Sequence, residues 1–379
     1  LMLPIVLSFG EVSSYFHGTG GPILYTRTAF GEMAGFQSGW ALYVSRVTAF
    51  GANANLLVSA FAYFWDPADK GLLRILFLFL ICGLLTWVNV VGVRHAMRSL
   101  GVLTILKIAP LVLLVVIGLP MLDTGSFAFA DTPPPARTDI GTAALILMYA
   151  YVGFEGALIP AGEAKNPARD MPRALFWSLG LVTVLYVAIQ AVSVALVPGL
   201  SESDRPVVEL GVALLGNTGG QIIAAAVIAS VGGNIAAAML SAPRMTYVMA
   251  RHGTLPAWFG AVDRRYSTPA RSVIVYGVAG FALAVYGWFA WLDGLTVLVR
   301  LLVYVLSIAT IPHLRRHRSD APERLRLPGG YTVPLMAIAV CAWLLAQVSA
   351  RAFLVTGVFV VVGVALFVVA RRQTGQNRA

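Results

Sequence analysis

Ten stretches of the chain are apolar for long enough to cross the hydrocarbon core of a bilayer as helices, which takes about 20 mostly apolar residues. They run over 39–64, 72–93, 99–119, 141–162, 174–197, 220–249, 271–291, 294–312, 333–349 and 351–370. Ahead of them, residues 1–10 are apolar but too short to span, and residues 11–21 are polar and glycine-rich. The chain opens on leucine with neither a basic leader nor a small-residue cleavage site, so this segment reads as the second half of a helix rather than a signal peptide. The longest polar connections are 123–139, with a proline run at 133–135, then 201–219 and 313–330. Within the second of these, 207–215 predicts a short interfacial helix. No soluble domain interrupts the pattern. The expectation is an all-α polytopic membrane protein, one domain over 1–379, with about ten full transmembrane helices and a partial one.

Composition agrees with lipid as the solvent. Hydrophobic residues make up 58% of the chain and charged ones only 12%, where a soluble domain runs nearer 25% charged. Mean hydropathy is +0.80. Cys82 and Cys341 both sit in apolar runs and read as small buried hydrophobes. The net charge of +10 is unevenly spread. With the loops assigned alternately to two sides, nineteen of the 27 basic residues share the side of 15–38, five lie opposite, and Arg46, Lys107 and Arg300 fall inside spans. Basic loops stay cytoplasmic, which puts the C-terminus inside. The surplus charge therefore serves topology and lipid, not nucleic acid.

An ionisable group inside a span costs at least ~2.5 kcal/mol and usually faces the bundle interior. At ~1.5 Å per residue, Arg46 lies roughly 10 Å from the inner edge of its helix, Lys107 about 13 Å and Glu155 about 12 Å, so three helices present a charge at one depth. Arg300 sits on the outer half of its span, roughly 9 Å from Gly294 by the same rise, where a long side chain can snorkel to water. Two readings of the shared depth stay open. Arg46 and Glu155 neutralise each other as a helix clamp, or they line a polar cavity that handles substrate and a proton.

The surroundings of Glu155 favour the cavity. In Tyr149-Ala-Tyr-Val-Gly-Phe-Glu-Gly156, Gly153 and Gly156 weaken the helix, and Pro160 downstream removes a hydrogen bond from it. A broken helix at membrane depth is tolerated where it faces protein or a water-filled cavity, and its freed backbone groups can bind a ligand. The plainer alternative is that glycines there permit close helix packing. No catalytic or metal cluster competes for the bundle. His17, His95, His252, His313 and His317 all lie in cytoplasmic-side loops or helix ends without an H-E-x-x-H pairing, and no G-x-S-x-G occurs. No ring-forming filter sequence of a channel is visible. A membrane sensor that binds without moving its ligand stays open at this point.

Three blocks in chain order resemble the amino acid–polyamine–organocation (APC) transporters. Gly153-Phe-Glu-Gly with Gly162-Glu-Ala-Lys-Asn-Pro-Ala-Arg-Asp-Met-Pro-Arg-Ala174 resembles their sixth-helix signature. Gly20-Gly-Pro-Ile-Leu-Tyr25 with Phe30-Gly, Gly35-Phe and Gly39-Trp is similar to their loop between helices two and three. Ser230-Val-Gly-Gly-Asn234 with Arg244-Met-Thr-Tyr-Val-Met-Ala-Arg-His-Gly-Thr-Leu-Pro256 resembles their eighth helix and its cytoplasmic exit. The resemblance implies two inverted five-helix repeats plus two peripheral helices. On this pattern the chain runs from part of helix two to helix twelve, and the family's first helix would precede Leu1. It further implies an amino acid or related amine as substrate, proton-coupled uptake by alternating access, exchange as the alternative, and a bacterial cell membrane. No cofactor is implied beyond a proton as coupling ion.

The resemblance also carries roles by position. Tyr149 matches the aromatic that closes over substrate in the arginine/agmatine antiporter, and Glu155 the acid implicated there in proton sensing. Asn234 stands where that antiporter has a gating tryptophan. Tyr43 and Arg46 fall on its third-helix site positions; Arg46 replaces a small residue, which implies a carboxylate-bearing substrate or an internal partner for Glu155. Lys107 matches the helix-five lysine whose ammonium occupies a sodium-site position in proton-coupled members. A lysine shut from water in one state and returned to it in another can carry a proton through each cycle; the alternative is a permanent clamp on backbone carbonyls. The expected binding and gating set is Tyr43, Arg46, Tyr149, Val152, Gly153, Glu155, Asn234 and Tyr304, with Lys107 and Glu155 as proton-coupling groups.

Overall fold

The structure, a computed structural model, describes residues 1–18, 20–92, 100–122, 136–159, 161, 164–203, 205–287, 289–317 and 325–376. Among them it contains thirteen α-helices and no strand: α1 Met2–Ser14, α2 Pro22–Phe30, α3 Glu32–Phe61, α4 Gly71–Val91, α5 Leu100–Gly118, α6 Arg137–Tyr151, α7 Pro167–Leu196, α8 Pro206–Arg251, α9 Ala270–Tyr286, α10 Phe289–Ile308, α11 Ile311–His317, α12 Thr332–Leu345 and α13 Ala350–Gln376. Each of the ten expected spans coincides with one of these helices, and the chain is a multi-pass membrane protein. The span expected over 141–162 is helical only to Tyr151. Pro160, expected to help break it, lies outside the described residues.

The helices sort into a buried centre and an apolar periphery. In the run Trp291–His317, 72% of the most apolar window is buried, against 11% for α4 and 11% for α7. Leu72, Leu84 and Trp87 on α4, and Trp177, Leu181 and Val184 on α7, stand exposed. Water would not tolerate such a surface, and lipid requires it. At the centre α10 packs against α3, α6 and α12, and α3 packs against α8, α9 and α2. A Cβ on Gly51 would lie 3.2 Å from the Ala284 amide, so the absent side chain is what lets α3 and α9 approach so closely.

Two boundaries differ from the hydropathy reading. α1 does not stop at Gly10 but continues to Ser14, because its polar residues are satisfied inside the bundle. Ser13 and Ser14 donate to the carbonyls of Gly10 and Glu11, and Glu11 is fully buried in an ion pair with Arg315. Within α8, Gly216 takes a left-handed φ of 67° and separates the expected short helix near 207–215 from the long span that follows.

Candidate functional site

The site is built where α6 gives out. After Tyr151 the backbone turns extended at Val152, then left-handed at Gly153 with φ 113°, a conformation that side chains disfavour. A single 3-10 turn, Phe154–Gly156, follows. This break swings Glu155 into the bundle, where it is 3% exposed. Val152 is partly buried against the apolar cluster of α1, α10 and α12. Gly153 itself is exposed.

Glu155 is held from three sides. The Arg300 Nη1 lies 2.8 Å from its Oε1, the Tyr304 hydroxyl donates to Oε2 at 2.7 Å, and the Gly153 amide donates to the same oxygen at 3.0 Å. Arg300 also donates through Nε to the Ser45 hydroxyl at 3.3 Å. Arg300 and Tyr304 are four residues apart on α10 and so share one face of it. The Tyr304 ring packs edge-on to Phe9 at 5.2 Å and against Phe154 at 5.3 Å, which closes the network in apolar surroundings. A buried carboxylate is tolerated only with this kind of pairing and hydrogen bonding.

The partner of Glu155 is therefore Arg300 and not Arg46, which corrects the clamp reading. Arg300 is buried and does not snorkel. Arg300 lies deeper than the hydropathy boundary at Gly294 implies because α10 starts at Phe289. Eleven residues of helix place Arg300 about 16 Å along it, near the middle of the membrane.

Arg46 stands at the flank of this network. Its Nη1 donates to the Ser241 hydroxyl at 3.1 Å, and the Tyr276 hydroxyl donates to its carbonyl at 2.9 Å. Among the described residues it has no ion pair. A Cβ on Gly156 would lie 3.1 Å from its Nη2, so the guanidinium faces the stretch without side chains. Ser241 and Ile159 also line a cleft of about 480 Å³ that includes Arg27, Glu32, Arg244 and His252. The cleft lies on the side of the basic loops and shares Ser241 with Arg46.

The remaining expected residues are less closely joined. Tyr149 is partly buried and its hydroxyl accepts from Asn53 Nδ2 at 3.4 Å. Tyr43 packs between Trp40 and Tyr276, at 5.5 and 5.9 Å between rings, in a different apolar cluster from Glu155. Asn234 is exposed on α8, two turns before Ser241 on the same face. Lys107 is partly buried on α5, which packs on α7 and α8, and it makes no hydrogen bond or ion pair among the described residues. Its expected depth was counted from Arg98, which lies outside the described residues. The structure thus gathers Gly153, Glu155 and Tyr304, with Arg46 beside them, and leaves Tyr43, Lys107 and Asn234 apart. It adds Arg300, Ser45 and Ser241. The spacing of Arg300 and Tyr304 could have been read from the sequence, but the serines carry no signal of their own. No group of three His, Cys, Asp or Glu among the described residues is placed to hold a metal ion.

A family model described as amino acid permease matches residues 1–378. The chain is 25% identical over 379 residues to the methylthioribose transporter of Bacillus subtilis, covering 95% of this chain and 81% of that protein. It is 26% identical over 366 residues to the branched-chain amino acid permease BcaP of the same organism, covering 89% and 76%. The serine/threonine exchanger SteT, also of Bacillus subtilis, is 24% identical over 375 residues, covering 95% and 83%.

Proposed function

This chain belongs to the amino acid permease family, and on that premise we propose that it is a secondary active transporter that takes up an amino acid or related amine together with protons, by alternating access. Membership of a transporter family supports a carrier rather than an enzyme. The observation that carries the reading is the Glu155–Arg300–Tyr304 network laid against the unwound stretch at Gly153. Breaking α6 frees backbone N–H and C=O groups at membrane depth, and these suit the ammonium and carboxylate that every amino acid presents. Glu155 supplies a carboxylate that can exchange its Arg300 contact for a proton. Arg46, on the cleft side, suits a substrate carboxylate. Tyr149 on α6 supplies the aromatic that closes over the bound molecule, and Asn234 lines the approach. Lys107 is the second proton-coupling group in this reading. The bias of basic residues supports a cell membrane with the C-terminus cytoplasmic.

The similarity to a serine/threonine exchanger favours exchange as the second reading. Uptake of a panel of radiolabelled amino acids into proteoliposomes tests both. One or a few are expected to accumulate, with an inward proton gradient raising the initial rate several-fold and Lys107→Ala losing that stimulation. Gradient-independent uptake that requires preloaded amino acid would establish the exchanger instead. If Lys107→Ala responds to the gradient like the parent, Lys107 leaves the coupling scheme.

A further inference from the structure

Two turns outward from Arg300, on the same face of α10, lies Asp293. It is 3% exposed, its Oδ1 has no hydrogen-bond partner, and it makes no ion pair among the described residues. Among the described residues, the other two buried acids are treated differently. Glu155 meets Arg300, Tyr304 and the Gly153 amide, and Glu11 meets Arg315 twice. An ionised carboxylate buried without donor or counter-charge is far too costly to persist, so the group must be neutralised by something it binds.

A proton fits and a metal cation does not. A cation would need several oxygen ligands, and among the described residues no second carboxylate joins Asp293 in a group that could hold a metal ion. The Thr48 and Thr296 hydroxyls lie 2.7 Å apart, one donating to the other while the second donates to a carbonyl of its own helix, Ser45 or Leu292. Among the residues whose side chains are described, titratable groups on the elements around α10 supply no counter-charge. α6 brings Tyr149, whose hydroxyl lies within electrostatic reach of Asp293; it also carries Asp139, which accepts from the Ala136 amide, and Tyr151, which bonds Thr183, while the Arg137 side chain lies outside the described residues. α3 has no titratable residue between Arg46 and its end at Phe61. α13 carries Arg351, which donates to the Tyr286 hydroxyl and lies 5.8 Å from the Trp291 ring, and at its far end Arg371 and Arg372. α12 has only Cys341, α1 has Glu11, held by Arg315, and α2 has Tyr25 and Arg27, the latter paired with Glu32.

We propose that Asp293 is a proton-binding site of this transporter, occupied in the conformation described and reached from the outer side of the membrane. It lies about 6 Å into α10 from Phe289 at the usual helical rise, well outward of Glu155. Tyr149 lies within electrostatic reach of both Asp293 and Arg300, so a change at the Asp293 carboxylate is felt at the aromatic proposed to close over substrate. A proton taken from the outer solution neutralises Asp293 and, for the gradient to drive uptake, leaves toward the inner side when the bundle opens there. The inference rests on the transporter reading only for its role, since the protonation can be measured without transport.

The test is infrared difference spectroscopy of the full chain in lipid, stepped between pH 9 and pH 5, beside gradient-driven uptake. The parent is expected to show a protonated-carboxyl band that Asp293→Asn removes, that Asp293→Glu returns at a shifted position, and that Glu155→Gln leaves in place. In Asp293→Asn the several-fold stimulation by a proton gradient is expected to fall to the rate without one. A band unchanged in Asp293→Asn, or absent from the parent, overturns the proposal whatever the transport result. A band lost in Asp293→Asn while the parent ignores the gradient keeps the site and overturns proton-driven uptake.

Discussion

Glu11 and Glu155 are both carboxylates buried in the bundle with an arginine beside them, yet the two pairs are built for different ends. Glu11 on α1 takes Arg315 through two parallel bonds of 2.7 and 2.8 Å. Arg315 spends its remaining Nη1 on the Gly330 carbonyl at 2.9 Å, and its guanidinium lies 4.6 Å from the Tyr331 ring. The Leu325 amide donates to Ser14 one turn along at 3.0 Å. α1, α11 and the entry to α12 are thus drawn into one clasp of bidentate geometry. Glu155 meets Arg300 through a single contact of 2.8 Å and divides its other oxygen between a tyrosine hydroxyl and the amide of an exposed glycine. A clasp of the first kind opens only all at once. The second can be released bond by bond, with Gly153 absorbing the backbone rotation. A buried charge pair alone says nothing about stability; the number and direction of its bonds separate a fastening from a moving part.

Breaking the two pairs in parallel gives the largest expected effect. Glu11→Ala leaves Arg315 buried without its counter-charge, at a cost of ~3–5 kcal/mol. We expect a sharp loss of monodisperse protein in detergent and a thermal midpoint lowered by several degrees. Glu155→Asp keeps the charge that the buried Arg300 needs and shortens the side chain by one methylene, so the pair is loosened without stranding the guanidinium. Its folded yield is expected to stay within about twofold of the parent while uptake falls at least tenfold, a barrier change of about 1.4 kcal/mol or more. Equal losses of folded protein in both variants would erase the distinction.

Much of this architecture is legible in the residue pattern, and the gaps have physical causes. The spans could be read because lipid demands long apolar runs, and the break in α6 because Gly153 and Gly156 bracket an acid within one turn. The partner of Glu155 could not, because it depends on where α10 begins, and hydropathy sees Phe289–Trp291 as the end of the preceding helix. Glu11 was missed for a related reason. A polar Glu-Val-Ser-Ser sequence after an apolar run looks like an exit into water, whereas here Arg315, more than 300 residues on, completes it inside. Hydropathy also rates α4 and α10 as equally able to span, though one faces lipid and the other is the centre of the bundle.

Gly153→Ala sharpens the idea that the Glu155 pair is a moving part. The added methyl would lie 3.6 Å from the Arg300 Nη1, an ordinary contact, so the penalty comes from the left-handed backbone at φ 113°. That strain is ~1–3 kcal/mol. We expect a small drop in thermal midpoint and a several-fold slower uptake, read as a fall in kcat with KM little changed. Wild-type kcat in Gly153→Ala would mean that the unwound stretch does not rotate during the cycle.

Arg46→Ala has the smallest expected effect on the fold and isolates what the Glu155 pair leaves unused. Because Arg300 already balances Glu155, removing Arg46 strands no buried charge and takes away a single bond to Ser241. Folded stability is expected to change by less than ~1 kcal/mol, in the range of ordinary non-core substitutions. If its guanidinium holds a substrate carboxylate, one charged hydrogen bond of ~1.5–3 kcal/mol is lost, which corresponds to a KM raised roughly tenfold or more. Competition assays then separate the two carboxylates a substrate can bring. Loss of potency confined to acidic amino acids assigns Arg46 to the side chain, loss across acidic and neutral competitors alike assigns it to the backbone carboxylate, and unchanged potency for both returns it to packing between α3 and α8.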